Sequence, residues 1–98
     1  MKQIERIQKM EERFNLASAA VKKLSEAVEE YAEVQSALNE LSDYLNSKEW
    51  KKDFAADEKG LLPQDLKRGV LSEDAIFNLL EDSRNLNSRL AEIINSLS

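Results

Sequence analysis

The feature that most restricts the fold is a stretch from Lys2 to Asn46 that contains no glycine and no proline. Within it, apolar residues recur every seven positions, at places a and d of a heptad, while charged residues fall mainly at b, c and f. The a positions are Ile7, Phe14, Val21 and Val28, and the d positions are Met10, Ala17, Leu24, Tyr31, Leu38 and Leu45. This pattern predicts a long amphipathic helix of coiled-coil type over residues 2–46.

The heptad pattern changes towards the end of this stretch. Gln35 and Ser42 occupy a positions, so the apolar face drifts towards Val34 and Leu41. Such a drift predicts a gentle bend, or a change of packing partner along the helix.

Residues 47–71 read as a short helix followed by turns. Ser47 is placed to cap a helix whose Trp50 and Phe54, four residues apart, share one face. Gly60 is placed to end that helix in a left-handed conformation. Pro63 disfavours helix immediately before it, so the chain is expected to run extended there.

A second long helix is predicted over residues 72–98. Ser72 is the expected N-cap, with Glu73 and Asp74 in the first turn, where negative charge favours the helix dipole. Leu71 and Ile76 flank the cap and are expected to form a hydrophobic staple.

Together these elements predict an all-α fold in a single domain of residues 1–98. The long helix is expected to pack antiparallel with the C-terminal helix as a helical hairpin, with the short helix and turns between them. Two glycines and one proline are too few for the turns of a sheet-rich fold. Because the last helix is the shorter one, the rest of the long apolar face must be covered either by residues 47–71 or by a second chain.

Composition restricts the function as well. The chain has no histidine and no cysteine, which removes the commonest catalytic bases, nucleophiles and transition-metal ligands, so we expect no enzyme, no cofactor and no metal site. A net charge of −5 without a basic face argues against nucleic acid. Neither a signal peptide nor a membrane span is recognisable, so we expect a cytoplasmic protein that does not enter a membrane.

The residues singled out as candidate partner-binding groups are Trp50, Phe54, Lys67 and Arg68. The tryptophan could anchor a partner, and the two cations could bind an anion, although each also fits a structural role in packing or in a turn. The leading hypothesis is a non-enzymatic module for protein–protein interaction or self-association, as a homodimer or with a protein partner. The alternative is a regulatory protein that binds a small ligand or a divalent cation through residues 50–74.

Several segments of the chain resemble one family. They are the opening Met1-Lys2-Gln3-Ile4-Glu5-Arg6-Ile7, the helix Glu49-Trp50-Lys51-Lys52-Asp53, the run from Leu61 to Asp74, and Leu79-Leu80-Glu81-Asp82. With these segments the chain resembles the bacterial family called domain of unknown function 4298. The resemblance implies a small bacterial cytoplasmic protein and carries over no catalytic residue.

Overall fold

The computed structural model describes residues 1–97, and within them the chain is helical, with no strand. The elements are α1 (Lys2–Glu33), α2 (Gln35–Leu45), α3 (Lys48–Glu58), a 3-10 turn (Gly69–Leu71) and α4 (Ala75–Leu97). This confirms the predicted all-α class, with a long N-terminal helix, a short helix and turn, and a C-terminal helix. The chain divides into two compact units, Met1–Gln35 and Ser36–Ser98. The antiparallel packing of the long helix with the C-terminal helix stays a prediction.

The first unit consists of α1, which is 32 residues long and therefore about 48 Å in length. None of its residues is buried, although Tyr31 is partly covered. The apolar a and d residues of this helix are called here the α1 stripe. The α1 stripe comprises Ile7, Met10, Phe14, Ala17, Val21, Leu24, Val28 and Tyr31.

The predicted helix over residues 2–46 is interrupted at Val34, next to the place where the heptad pattern drifts. The ψ angle of Val34 is 2°, outside the helical range, although its N–H still donates to the Glu30 carbonyl at 3.2 Å. The side-chain amide of Gln35 donates to the Tyr31 carbonyl at 2.9 Å. In a regular helix that carbonyl accepts the backbone N–H of residue 35. A polar side chain that inserts into the backbone ladder in this way is a known cause of helix interruption.

In the second unit, α3 begins and ends as its sequence predicts. The Ser47 hydroxyl accepts a hydrogen bond from the backbone N–H of Trp50 at 3.2 Å, which satisfies a donor that the first turn cannot pair internally. After Glu58 the chain leaves the helix through Gly60, whose φ of 70° is the left-handed conformation that glycine adopts without steric cost. The backbone then forms a turn in which the Leu66 N–H donates to the Pro63 carbonyl.

The 3-10 turn organises the second unit, because both α3 and α4 contact it. Within residues 1–97, two hydrophobic side chains are buried: Leu71 in this turn and Ile76 at the start of α4. They are the two residues of the predicted staple. α4 starts at Ala75, three residues later than predicted, so Asp74 lies just before its first turn. The Ser72 hydroxyl accepts a hydrogen bond from the backbone N–H of Ala75 at 3.2 Å. Of the described helices, none has both the length and the apolar character needed to cross a bilayer.

Candidate functional site

Trp50 and Phe54 lie together on α3 with their rings stacked. The ring centroids are 5.1 Å apart and the planes are inclined by 18°. The indole Nε1 of Trp50 donates a hydrogen bond to the Val70 carbonyl at 3.0 Å, and so ties α3 to the 3-10 turn. Both aromatic side chains are half-buried. The polar group with which Trp50 would recognise a partner is therefore already used inside the second unit.

Arg68 also makes an internal contact. Its Nη1 lies 2.9 Å from Oδ1 of Asp57, and both side chains are about one-third exposed. Asp57 is on α3 and Arg68 directly precedes the 3-10 turn, so this ion pair reinforces the connection that the Trp50–Val70 bond makes between α3 and the turn. The positive charge of Arg68 is thus balanced by a carboxylate within the unit, which weakens its attraction for an external anion.

Tyr44 and Asp53 form a third link, between α2 and α3. The phenolic O–H of Tyr44 donates to Oδ2 of Asp53 at 2.6 Å, a short distance typical of a hydrogen bond to a charged oxygen. The bond raises the pKa of Tyr44 from 10.0 to about 12, with smaller contributions from partial burial and from the negative charge of Asp53. Tyr44 therefore keeps its proton, and the link persists, well above neutral pH.

Lys67 differs from the other three candidates, because it is exposed and lines two neighbouring hollows. The first hollow has a volume of about 300 Å³. Its lining combines the polar side chains of Lys67, Tyr44, Asp53 and Arg68 with leucine side chains. The second, of about 370 Å³, is lined mainly by apolar side chains, among them Leu41, Ile76 and Leu79. An ammonium group beside an apolar hollow suits a ligand with both an anionic and an apolar part.

Sequence reasoning found some of these residues and missed others. It placed Trp50 and Phe54 on one face of a helix and selected Arg68 and Lys67. In the structure Phe54 stacks on Trp50, which bonds to the 3-10 turn, and Lys67 and Arg68 directly precede that turn. It missed Tyr44 as a partner of Asp53. No sequence signal marks that pair, because the heptad pattern places Tyr44 at an outward position and the bond forms only where the chain turns between α2 and α3.

Carboxylates are the side chains that a divalent cation would need in this region. Asp53, Asp57 and Glu58 lie on α3, and Glu73 and Asp74 precede α4. Among residues 1–97, no three acidic side chains are grouped closely enough to hold a metal ion. Asp53 and Asp57 instead accept the hydrogen bonds of Tyr44 and Arg68 described above.

No curated protein matches the chain, and no solved structure does. A family model described as "Domain of unknown function (DUF4298)" matches residues 7–93, which includes most of α1, all of the second unit's turns and most of α4. The chain therefore belongs to the DUF4298 family.

Proposed function

We propose that this protein is a non-enzymatic interaction module that associates with itself or with another protein through the α1 stripe. The observation that carries the proposal is the exposure of this stripe. Six large side chains at a and d positions are between 52% and 70% exposed: Ile7, Met10, Phe14, Val21, Leu24 and Val28. A contiguous apolar surface of this kind, bordered by charged residues, is characteristic of a surface that contacts another protein.

The length of α1 supports the same conclusion. Most of the stability of a helix in a protein comes from packing its apolar face, and not from the intrinsic helix propensity of its residues. None of the residues of α1 is buried, so a partner that covers the stripe would stabilise the helix as well as bind it. Burial of a single valine or leucine side chain contributes roughly 1.5–3 kcal/mol, so a few of these residues suffice for measurable affinity.

Most of the candidate partner-binding residues in the second unit are less suited to bind a partner, because they have roles inside that unit. Trp50 donates a hydrogen bond to the Val70 carbonyl and stacks on the ring of Phe54. Arg68 forms an ion pair with Asp57. Their substitution would therefore act first on folding. The six large exposed side chains of the α1 stripe are more than half open to solvent, so they can be changed with less damage to the fold. The proposal includes a cytoplasmic location in bacteria, which the family resemblance implies.

The test compares two substitutions that add the same side chain to opposite faces of α1. Leu24→Glu places a carboxylate in the stripe, whereas Ala19→Glu places one at an f position, where Glu12 and Glu26 already lie one heptad away. Circular dichroism first checks that both variants keep their helix content. Association is then measured by light scattering up to high micromolar concentration, together with affinity capture of partner proteins.

We expect the wild type and Ala19→Glu to associate and Leu24→Glu to be monomeric, because an unpaired carboxylate is costly to bury. The proposal fails if two results are obtained together. The wild type is monomeric throughout the concentration range, and it captures no protein whose binding is lost in Leu24→Glu and kept in Ala19→Glu.

A second candidate function is the binding of a small ligand in the hollow beside Lys67. The observation in its favour is the combination of an exposed ammonium group, a phenol and an apolar floor in a space of about 300 Å³. A thermal-shift screen of anionic metabolites and divalent cations tests it, with Lys67→Ala as the matched control. A ligand at about 100 times its dissociation constant should stabilise the protein by about 2.7 kcal/mol. A ligand that stabilises both forms equally would not be binding through this lysine.

A further inference from the structure

We propose that the second hollow, of about 370 Å³, binds a small aliphatic carboxylate, whose charged group pairs with Lys67 and whose chain covers Val70 and Leu79. This inference rests on the second candidate function, a small ligand that binds through Lys67. It specifies which of the two hollows the ligand occupies and to which chemical class the ligand belongs. The residues that form the site all belong to the second unit, Ser36–Ser98, so the site is separate from the α1 stripe.

Three elements of the second unit form the walls of this hollow. Leu41 comes from α2, Val70 from the 3-10 turn and Leu79 from α4. Ile76 also lines the hollow and is 2% exposed, so the site is built directly on the buried core of the unit. Its volume lies at the lower end of the range of roughly 300–1,000 Å³ that is usual for small-molecule sites. This size suits a small molecule.

The apolar walls of the hollow are incompletely covered by the protein. Val70 is 41% exposed and Leu79 is 44% exposed, although both border the buried Ile76 in a concave surface. Covering such surface with an aliphatic chain is favourable in proportion to the apolar area removed from water. Among the described residues that line the hollow, Lys67 is the one with a polar side chain. A chain of methylene groups would therefore leave no polar side chain of the walls without a hydrogen bond.

The charge at the hollow is positive and is not balanced by the protein. Lys67 is exposed, and within residues 1–97 it takes part in no ion pair. Glu73 and Asp74 immediately precede Ala75 in the chain, yet neither of them lines the hollow. The chain as a whole carries a net charge of −5, so the attraction for an anion must come from this local ammonium group. It is therefore short-ranged and sensitive to salt.

The first hollow is less suitable for an anion, although Lys67 also lines it. Its lining includes Asp53, whose Oδ2 accepts the hydrogen bond of Tyr44 at 2.6 Å. Arg68 lines it as well, but its Nη1 lies 2.9 Å from Oδ1 of Asp57, which balances the charge. A ligand carboxylate between these walls would be repelled by Asp53. The distribution of charge therefore favours the second hollow.

Titration with carboxylates of increasing length tests the apolar part of the site. Butanoate, hexanoate and octanoate are added to the full chain below the concentrations at which they form micelles, and binding is measured by isothermal titration calorimetry. A fully buried methylene group strengthens binding roughly fourfold. Because the walls are partly open, we expect each added methylene to strengthen binding roughly two- to fourfold.

A change at Lys67 tests the charged part. Lys67→Gln removes the ammonium group and should weaken octanoate binding roughly fivefold, which is the upper value for an exposed ion pair. The uncharged 1-octanol, a probe of the same length, should bind wild type and Lys67→Gln equally. Lys59→Gln is the matched control, because it changes the net charge by the same amount at a lysine that lines neither hollow. It should change octanoate binding by less than about twofold.

A matched pair of leucines decides which hollow is occupied. Leu79 and Leu66 are 44% and 47% exposed, and of the two hollows Leu79 lines the second and Leu66 the first. Leu79→Asn should weaken the binding of octanoate and of 1-octanol roughly fivefold, because it removes apolar contact from the chain. Leu66→Asn should change either by less than about twofold. Circular dichroism first checks that both variants keep their helix content.

Each contrary result overturns the inference in a defined way. Equal octanoate binding by wild type and Lys67→Gln would show that the charge has no role. A loss in Leu66→Asn and not in Leu79→Asn would place the ligand in the first hollow and leave the second candidate function standing.

An absence of binding by every carboxylate would also overturn the inference, and the second candidate function would then depend on the screen of other ligands. Two other occupants of the hollow can be recognised in that case. Binding to vesicles of anionic lipid, lost in Leu79→Asn, would identify a membrane surface. A captured protein that Leu79→Asn loses and Leu66→Asn keeps would identify a protein partner. The test of the α1 stripe is independent of all these results.

Discussion

The indole Nε1 of Trp50 donates a hydrogen bond to the carbonyl oxygen of Val70, 3.0 Å away and twenty residues later in the chain. This bond fixes α3 against the 3-10 turn, whose Leu71 is one of the buried residues of the second unit. The half-buried Trp50 is thus a structural residue of this unit, although its sequence context also suited a partner-binding anchor.

Trp50→Ala is expected to destabilise the second unit by about 3 kcal/mol, at the lower end of the range for a large aromatic side chain because Trp50 is only half-buried. Trp50→Phe keeps most of the apolar contact and loses the donor, so about 1 kcal/mol is expected. Urea denaturation followed by circular dichroism measures both values. Lys52→Ala, on the exposed side of the same helix, is the control. Wild-type stability in Trp50→Ala would mean that the side chain serves binding and not folding.

The ion pair between Arg68 and Asp57 should contribute a small but measurable amount. Both side chains are about one-third exposed, and a double-mutant cycle with Arg68→Ala and Asp57→Ala should give a coupling free energy of about 1 kcal/mol. The more exposed pair of Arg84 and Glu81 on α4, at 3.1 Å, is a matched comparison and should give less than about 0.5 kcal/mol. A larger coupling for the α4 pair would contradict the view that partial burial strengthens the Arg68–Asp57 contact.

Alkaline pH should weaken the link between Tyr44 and Asp53. The pKa of Tyr44 is raised in the folded chain from 10.0 to about 12, so the hydrogen bond stabilises the fold fully below pH 10. That contribution declines as the pH rises through about 12, because ionised tyrosine cannot donate and repels the carboxylate.

The absorbance of tyrosinate follows this titration. The sequence contains two tyrosines, so Tyr31→Phe leaves Tyr44 as the one that is observed. In that background we expect a midpoint at about 12, which Asp53→Ala returns towards 10.0. An unchanged midpoint after Asp53→Ala would show that Asp53 does not hold the proton on Tyr44.

The two glycines should respond differently to the same substitution. Gly60 has a φ of 70°, and a methyl group added there would meet no atom within 4 Å, so the cost of Gly60→Ala comes from the backbone alone. We expect a loss of about 1 kcal/mol. Gly69 also has open space around it, and its φ is not in the left-handed region. Gly69→Ala should therefore be neutral or slightly stabilising, because it reduces the freedom of the unfolded chain. Thermal denaturation of the two variants distinguishes these outcomes.

The sequence alone determined the local structure of this protein. A helix is specified by residues within a few positions of one another, so heptad spacing predicted the long N-terminal helix, apart from its interruption at Val34, and the Ser47 cap and Gly60 predicted α3. The same local rules singled out Leu71 and Ile76 as residues that pack at the start of the last helix, and both are buried. They also located the point at which the long helix changes, near Gln35, because a polar residue at an a position is visible in the pattern.

The tertiary structure decided which side chains meet across turns. Trp50 with Val70, Arg68 with Asp57, and Tyr44 with Asp53 join residues whose sequence separation depends on the path of the intervening loop. A heptad pattern states which face of a helix is apolar, but it contains no information on the distance from that face to another segment. For this reason the sequence could select Trp50 and Arg68 as unusual residues, while only the folded chain shows that each has a polar partner within the second unit.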